Sequence, residues 1–135
     1  MKEQFVPFHL AVKMKELGFN ETCAGGYDYS SENKDPEFKL LIFSTNNDKE
    51  WYDKRKQIPS PLWQQAFDWF RLNHDMTVTI NLHLHYYKGD IFETYYGQYM
   101  KSNASTKMLT KLEDNYNVAR EKTLENIIKS INNNK

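Results

Sequence analysis

The sequence lacks the cysteine and glycine motifs with which many small proteins build disulfides, zinc sites and nucleotide-binding loops. It has one cysteine, Cys23, so no disulfide can form within the chain and no cysteine-based zinc site can be built from it. Gly25-Gly26 lacks the further glycines and the lysine of a phosphate-binding loop. These absences argue against disulfide scaffolds, zinc fingers and P-loop nucleotide binding.

The sequence also lacks an excess of charge of either sign. Eighteen basic side chains balance eighteen acidic ones, so there is no broad electrostatic reason to expect binding to nucleic acid or to a membrane surface. No apolar run approaches the length of a membrane span, and the N-terminus has no signal-peptide core. We therefore expect neither nucleic acid nor a membrane as partner, and a cytoplasmic location.

Aromatic residues, in contrast, are abundant. They make up 15% of the 135 residues, which is enough to build a core, and the mean hydropathy of -0.82 reflects a surface rich in lysine and asparagine. The length fits one ordinary domain. We expect a single domain over residues 1–131, followed by a polar frayed tail over residues 132–135.

Two segments in the first half of the chain have helical periodicity. Residues 7–17 place apolar side chains on one side, and Gly18 supplies a stop. Ser60 followed by Pro61 matches an N-cap with proline at the first helical position, and the apolar residues between 62 and 70 form a broad face. Both segments predict amphipathic helices.

A third helix is predicted near the C-terminus. A broad helical band of apolar residues runs from 112 to 131. Its N-terminus falls between Thr110 and Asn115. Thr110 and Glu113 fit a capping box, whereas Asp114 or Asn115 could cap the helix instead.

Strand patterns lie between these helices. Residues 23–29 begin as a short strand and lead into a loop, and residues 38–45 are apolar on both alternations, as in a central strand. Residues 76–86 alternate with period two, and Lys88-Gly89-Asp90 turns the chain into residues 91–100. This pair predicts an antiparallel hairpin.

The order α-β-β-α-β-β-α predicts an α+β fold. Three helices would cover one face of a mostly antiparallel sheet of about four strands. The strands at 38–45 and 76–86 could instead lie parallel across a right-handed crossover, so a mixed sheet stays open.

His83 and His85 lie two residues apart on the predicted strand, and therefore on one face. That spacing can offer two imidazoles to one metal ion. A three-residue turn would place Glu93 opposite His85 as a third ligand, and an even-numbered turn would reverse the facing. His83, His85 and Glu93 are thus the candidate metal ligands, and a pair of solvated or cross-strand-paired histidines is the alternative.

Two further features have a functional and a structural interpretation. Cys23 could expose a nucleophilic thiolate, but a single cysteine beside a strand is more typical of a small buried apolar residue. Residues 51–56 interleave aromatic and cationic side chains, a composition that suits stacking on a nucleic-acid base and pairing with its phosphates. Nearby acidic residues dilute the positive charge, which favours a solvated loop instead.

The hairpin is rich in tyrosine, with five between residues 86 and 99. Because strand side chains alternate, these tyrosines cannot all point into a core, and exposed tyrosines supply large contact area at low entropic cost. Cross-strand aromatic packing is the alternative. The candidates for a partner-binding surface lie in the hairpin and in the segment of residues 51–56. They are Tyr87, Tyr95 and Tyr96 of the hairpin, and Trp51, Tyr52 and Arg55 of that segment.

Three parts of the chain resemble a known group of proteins. These are residues 1–7 (MKEQFVP) leading to 11–19 (AVKMKELGF), residues 61–71 (PLWQQAFDWFR) and residues 116–121 (YNVARE). They resemble small uncharacterised proteins carried by phages and prophages of Bacteroides-type gut bacteria. The resemblance implies helix-packing residues and a phage origin, and it implies no activity or catalytic residue.

Two functions of different class follow as expectations. The first is a non-enzymatic, phage-encoded accessory protein without a cofactor, which binds a host or phage protein in the cytoplasm of the infected cell. A homodimer is a further expectation if a tyrosine-rich sheet face is left uncovered. The second is binding or turnover of a small ligand, a metal or a nucleotide signal, on the His83/His85 strand.

Overall fold

A computed structural model describes residues 1–29, 35–40, 56–104 and 106–134. Within these residues the chain has three α-helices and two three-stranded antiparallel sheets. The predicted α+β class is therefore confirmed, whereas the single sheet of four strands and its element order are not. The chain divides into two compact units, Met1–Ala66 and Phe67–Lys135. The prediction of one domain over residues 1–131 stays a prediction.

The first unit contains a small sheet and a helix. Its elements are a short 3-10 helix (Lys2–Gln4), α1 (Phe8–Glu16), β1 (Gly25–Asp28), β2 (Glu37–Lys39) and β3 (Gln57–Ser60). The sheet order is β2-β1-β3, with both pairings antiparallel. Helix α1 and strand β1 fall where the sequence predicts them.

Strand β3 corrects the prediction for Ser60, which the sequence presents as the N-cap of a helix. Ile58 of this strand lies opposite Tyr27 of β1. Ser60 is buried, and its Oγ donates a hydrogen bond of 2.6 Å to the carbonyl oxygen of Val6. The hydroxyl thus bonds to a distant segment, and the following helix begins only at Trp63.

Strand β2 also differs from its prediction. It covers Glu37–Lys39, and within the described residues it pairs with β1 alone and lies at the end of the sheet order. The predicted central position for residues 38–45 is therefore not confirmed, and residues 41–45 lie outside the described part of the chain. Phe38 of β2 packs its ring against Phe5 and Tyr27, with centroids 4.9 and 5.4 Å apart.

The second unit contains the hairpin and the longest helix. Helix α2 (Trp63–His74) begins in the first unit and leads into β4 (Met76–Tyr87), β5 (Asp90–Lys101), β6 (Met108–Leu109) and α3 (Tyr116–Asn133). The sheet order is β4-β5-β6 and both pairings are antiparallel. The predicted hairpin of residues 76–86 and 91–100 is confirmed.

A two-residue turn sets the register of this hairpin. Tyr87 lies opposite Asp90, so only Lys88 and Gly89 connect the strands. Both have positive φ, 50° and 81°, as the preferred two-residue hairpin turn requires. The even-numbered turn is therefore the one that the chain adopts.

Helix α3 begins at the last of the predicted caps. The Asn115 side chain accepts hydrogen bonds from the backbone N–H groups of Asn117 and Val118, at 2.8 and 3.3 Å. The helix continues to Asn133, two residues beyond the predicted end of the ordered chain at 131. It packs on β5, where Thr123 lies directly against Gly97.

Candidate binding surface on the hairpin

The β4–β5 hairpin has two faces whose side chains the register fixes. We call the face on which α3 packs the inner face and the opposite one the outer face. Directly opposed residues share a face and neighbours along a strand alternate. The inner face therefore carries the even-numbered residues of β4 and the odd-numbered residues of β5.

The base of the inner face, near residues 76–80 and 97–101, is part of the core. Met76 is 2% exposed and Tyr99 is 6% exposed. Between the strands and α3 there is no room for a side chain at position 97, since a Cβ there would lie 2.6 Å from the Cβ of Thr123. Burial raises the pKa of the Tyr99 phenol.

The tip of the same face is exposed. Four large apolar side chains lie there, each between 43% and 76% exposed. Strand β4 carries no Asp, Glu, Lys or Arg anywhere along its length. We call this group the tip patch; its members are Leu82, Leu84, Tyr86 and Ile91.

Tyr95 borders the tip patch and is held in place. Its backbone N–H and carbonyl both bond to Glu113, at 2.7 and 2.8 Å, and its ring meets the edge of the Tyr116 ring at 5.7 Å. Its hydroxyl donates to the Glu93 carboxylate at 3.2 Å. Partial burial, then the negative charge of Glu93, raises the pKa of Tyr95. Of the predicted partner-binding tyrosines that the structure describes, Tyr95 alone lies on the inner face.

The other two predicted hairpin tyrosines lie on the outer face. Tyr87 is 63% exposed, and Tyr96 is half-buried opposite Asn81. The structure therefore separates Tyr95 from Tyr96, although the two are adjacent in sequence. The remaining candidates, Trp51, Tyr52 and Arg55, lie outside the described residues, so their role stays a prediction.

His83 and His85 also lie on the outer face, side by side. Their ring centroids are 4.4 Å apart, and His85 is half-buried while His83 is exposed. His83 lies opposite Thr94 and His85 opposite Phe92. Glu93 lies opposite Leu84 on the inner face, so the structure does not bring this predicted third ligand to the histidines.

Cys23 has the environment of a structural residue. Its side chain is 1% exposed, and its Sγ donates a weak hydrogen bond to the carbonyl oxygen of Glu21 at 3.5 Å. Burial, and secondarily the charge of Glu21, raises the pKa of the thiol to about 12. The thiol is therefore protonated at neutral pH and is a poor nucleophile.

Leu82, Leu84 and Ile91 are the surface residues that sequence reasoning missed. The alternation of Leu82 and Leu84 is the same as that of core residues, so the pattern places both with Met76 on one face, whereas the facing of Ile91 depends on the length of the turn. Only the position of α3 along the hairpin separates the buried residues from the exposed ones.

None of the described helices is both long enough and apolar enough to span a membrane. Comparison with known protein families, with curated protein sequences and with solved structures finds no match to this chain.

Proposed function

We propose that this protein is a non-enzymatic binding protein whose tip patch docks on a partner protein. The observation that carries the proposal is the cluster of exposed apolar side chains at the tip of the inner face, formed by Leu82, Leu84, Tyr86 and Ile91. Contiguous exposed apolar side chains on a small protein are typical of interaction sites.

The energetics favour a partner over exposure to water. Fully burying a leucine- or isoleucine-sized side chain is worth about 1.5–3 kcal/mol. The four side chains of the tip patch are 43–76% exposed, so a large part of that free energy is not realised by folding. A partner that covers them would realise it.

The surroundings of the patch match the layout of an interface. Protein interfaces have an apolar centre enriched in aromatic residues and a polar rim. Here Glu93 and the Tyr95 hydroxyl lie beside Ile91 on the same face, and Tyr116, 44% exposed, extends the aromatic surface. Tyr95 is preorganised by its bonds to Glu113 and Glu93, which lowers the entropic cost of binding.

The resemblance of residues 1–7, 11–19, 61–71 and 116–121 to phage and prophage proteins indicates where to seek the partner. We propose a host or phage protein in the cytoplasm of the infected cell. A Bacteroides-type host lysate is therefore the appropriate source for capture experiments.

The test uses two matched double variants of the hairpin. Tyr86→Ser/Ile91→Ser removes a directly opposed pair from the inner face, and Tyr87→Ser/Phe92→Ser removes a comparably exposed tyrosine and apolar neighbour from the outer face. Affinity capture from host lysate is compared for both variants and for the wild type. We expect one specific captured protein, retained by the outer-face variant and reduced at least tenfold by the inner-face variant. Equal loss of capture in both variants, or none in either, contradicts the assignment of the tip patch.

Sedimentation of the same three proteins distinguishes a second copy from a foreign partner. A wild-type dimer that Tyr86→Ser/Ile91→Ser converts to a monomer would identify the occupant as a second copy and overturn the host or phage partner.

A further inference from the structure

From the outer face of the hairpin, which the proposed protein contact does not use, we infer that His83 and His85 together bind one divalent transition-metal ion. Thr94, and not Glu93, is the third residue of this site, and it acts by orienting His85.

The geometry suits chelation. A metal–nitrogen bond of about 2.0–2.1 Å places an ion roughly 3 Å from the centroid of each imidazole that it binds. Two rings can therefore share an ion when their centroids lie within roughly 6 Å, and those of His83 and His85 are 4.4 Å apart. Both side chains project from one rigid strand on the same face, so little freedom is lost on binding.

Thr94 selects the ligand atom of His85. The Thr94 hydroxyl donates its single proton to the carbonyl oxygen of His83, at 3.3 Å. With its proton placed in that bond, the hydroxyl accepts from the Nε2 of His85, 2.9 Å away, and this arrangement requires the tautomer in which Nε2 carries the ring proton. The lone pair is then on Nδ1. Metal-binding histidines commonly donate their other ring N–H to such a partner, which fixes the tautomer and the ring orientation.

The donor set indicates the class of ion. Imidazole nitrogens suit zinc, nickel and copper, whereas magnesium and calcium require oxygen ligands. Glu93 faces the other side of the sheet, so the hairpin supplies two nitrogens. The exposed position leaves the remaining coordination sites to water.

The decisive experiment titrates the full chain with nickel chloride at neutral pH by calorimetry. A composition-matched variant, Leu84→His/His85→Leu, exchanges two neighbours, so that its two histidines project to opposite faces. We expect one nickel ion per wild-type chain and at least tenfold weaker binding by this variant and by His85→Gln. His85→Gln covers the case in which the exchange disturbs folding, because it is a polar replacement at one position.

Two single variants test the third residue. Thr94→Val removes the orienting hydroxyl and is expected to weaken nickel binding several-fold, whereas Glu93→Gln is expected to leave it unchanged. Nuclear magnetic resonance with zinc should perturb the ring signals of His83 and His85 and not those of His9 and His74.

Three results would overturn the inference. They are unchanged nickel affinity in His85→Gln, binding of magnesium as tight as that of nickel, or a tenfold loss in Glu93→Gln without loss in Thr94→Val.

Discussion

The base and the tip of one β-hairpin have the same sequence pattern and opposite environments. On the inner face, Met76 and Tyr99 at the base are 2% and 6% exposed, whereas Leu84 and Tyr86 toward the tip are 43% and 76% exposed. In β4, both regions alternate apolar residues with period two. Alternation thus determines which face a side chain occupies, and the packing of α3 determines which part of that face is removed from water.

The comparison also separates the residues that stabilise the fold from those that are available for binding. At the base, Gly97 and Thr123 are packed so closely that the position admits only hydrogen as a side chain. At the tip, apolar side chains contribute less to folding because much of their surface remains in water, and that surface is available to a partner. Substitutions at the base should therefore lower the free energy of unfolding, whereas substitutions at the tip should affect mainly the binding of a partner.

The largest expected effect is at Gly97. In Gly97→Val the new Cβ would lie 2.6 Å from the Cβ of Thr123, so α3 must move away from β5. We expect a loss of about 4 kcal/mol in the free energy of unfolding, measured by urea denaturation. Gly89→Asn is the control, because the turn position has open space and asparagine tolerates positive φ. Equal stability of the two variants would contradict the close packing at the base.

The next largest effect is expected from alanine substitution at a buried and an exposed position of the same strand and the same face. Met76→Ala removes a buried side chain and should cost about 3 kcal/mol, whereas Leu84→Ala removes an exposed one and should cost less than about 1 kcal/mol. Chemical denaturation of both variants measures the difference. A comparable cost at the two positions would show that the tip is covered in solution.

Alkaline pH should destabilise the folded protein by deprotonating Tyr99 at the base of the hairpin. Burial raises the pKa of its phenol in the folded state, so the folded chain holds the proton more tightly than the unfolded chain. The stabilisation is present below the unfolded pKa of about 10 and is lost as the pH rises through the folded value, by at most about 1.4 kcal/mol per pH unit. Tyr99→Phe lacks the ionisable hydroxyl. The free energy of unfolding of this variant, measured by urea denaturation, should fall less steeply with pH above pH 10 than that of the wild type. An equally steep fall in both proteins would show that Tyr99 does not titrate from a buried site.

The smallest effect on stability is expected at the tip. Tyr86→Ser/Ile91→Ser removes one exposed cross-strand pair, and we expect a change below about 1 kcal/mol in the free energy of unfolding. A fluorescent probe of exposed apolar surface should bind this variant less than the wild type. A thermal midpoint lowered by more than about 10 °C would mean that the pair belongs to the core.

The hairpin was predictable from sequence, but its register was not. Residues 76–86 alternate strictly, yet Lys88-Gly89-Asp90 is compatible with a two- or a three-residue turn. The positive φ of Lys88 and Gly89 selects the shorter turn, and this places Glu93 on the face opposite His83. A shift of one residue reverses every facing, so the candidate metal site was sensitive to a detail that local patterns do not contain.

Strand β3 was missed for a related reason. Ser60-Pro61 has the local chemistry of a helix start, and Pro59 weakens any strand signal. The strand exists because Ile58 pairs with Tyr27, about thirty residues away, and because Ser60 bonds to Val6 at the N-terminus. Such long-range partners decide structure where local propensity is ambiguous.

The most direct test of the tip patch is site-specific photo-crosslinking in cells of the proposed Bacteroides-type host. Tyr86 and Tyr87 are adjacent and chemically identical, 76% and 63% exposed, and they lie on opposite faces. A photoreactive phenylalanine analogue is placed at each position in turn. We predict a discrete crosslinked partner from position 86 and none from position 87. The same partner from both positions, or a partner from position 87 alone, would contradict the assignment of the inner tip as the binding surface.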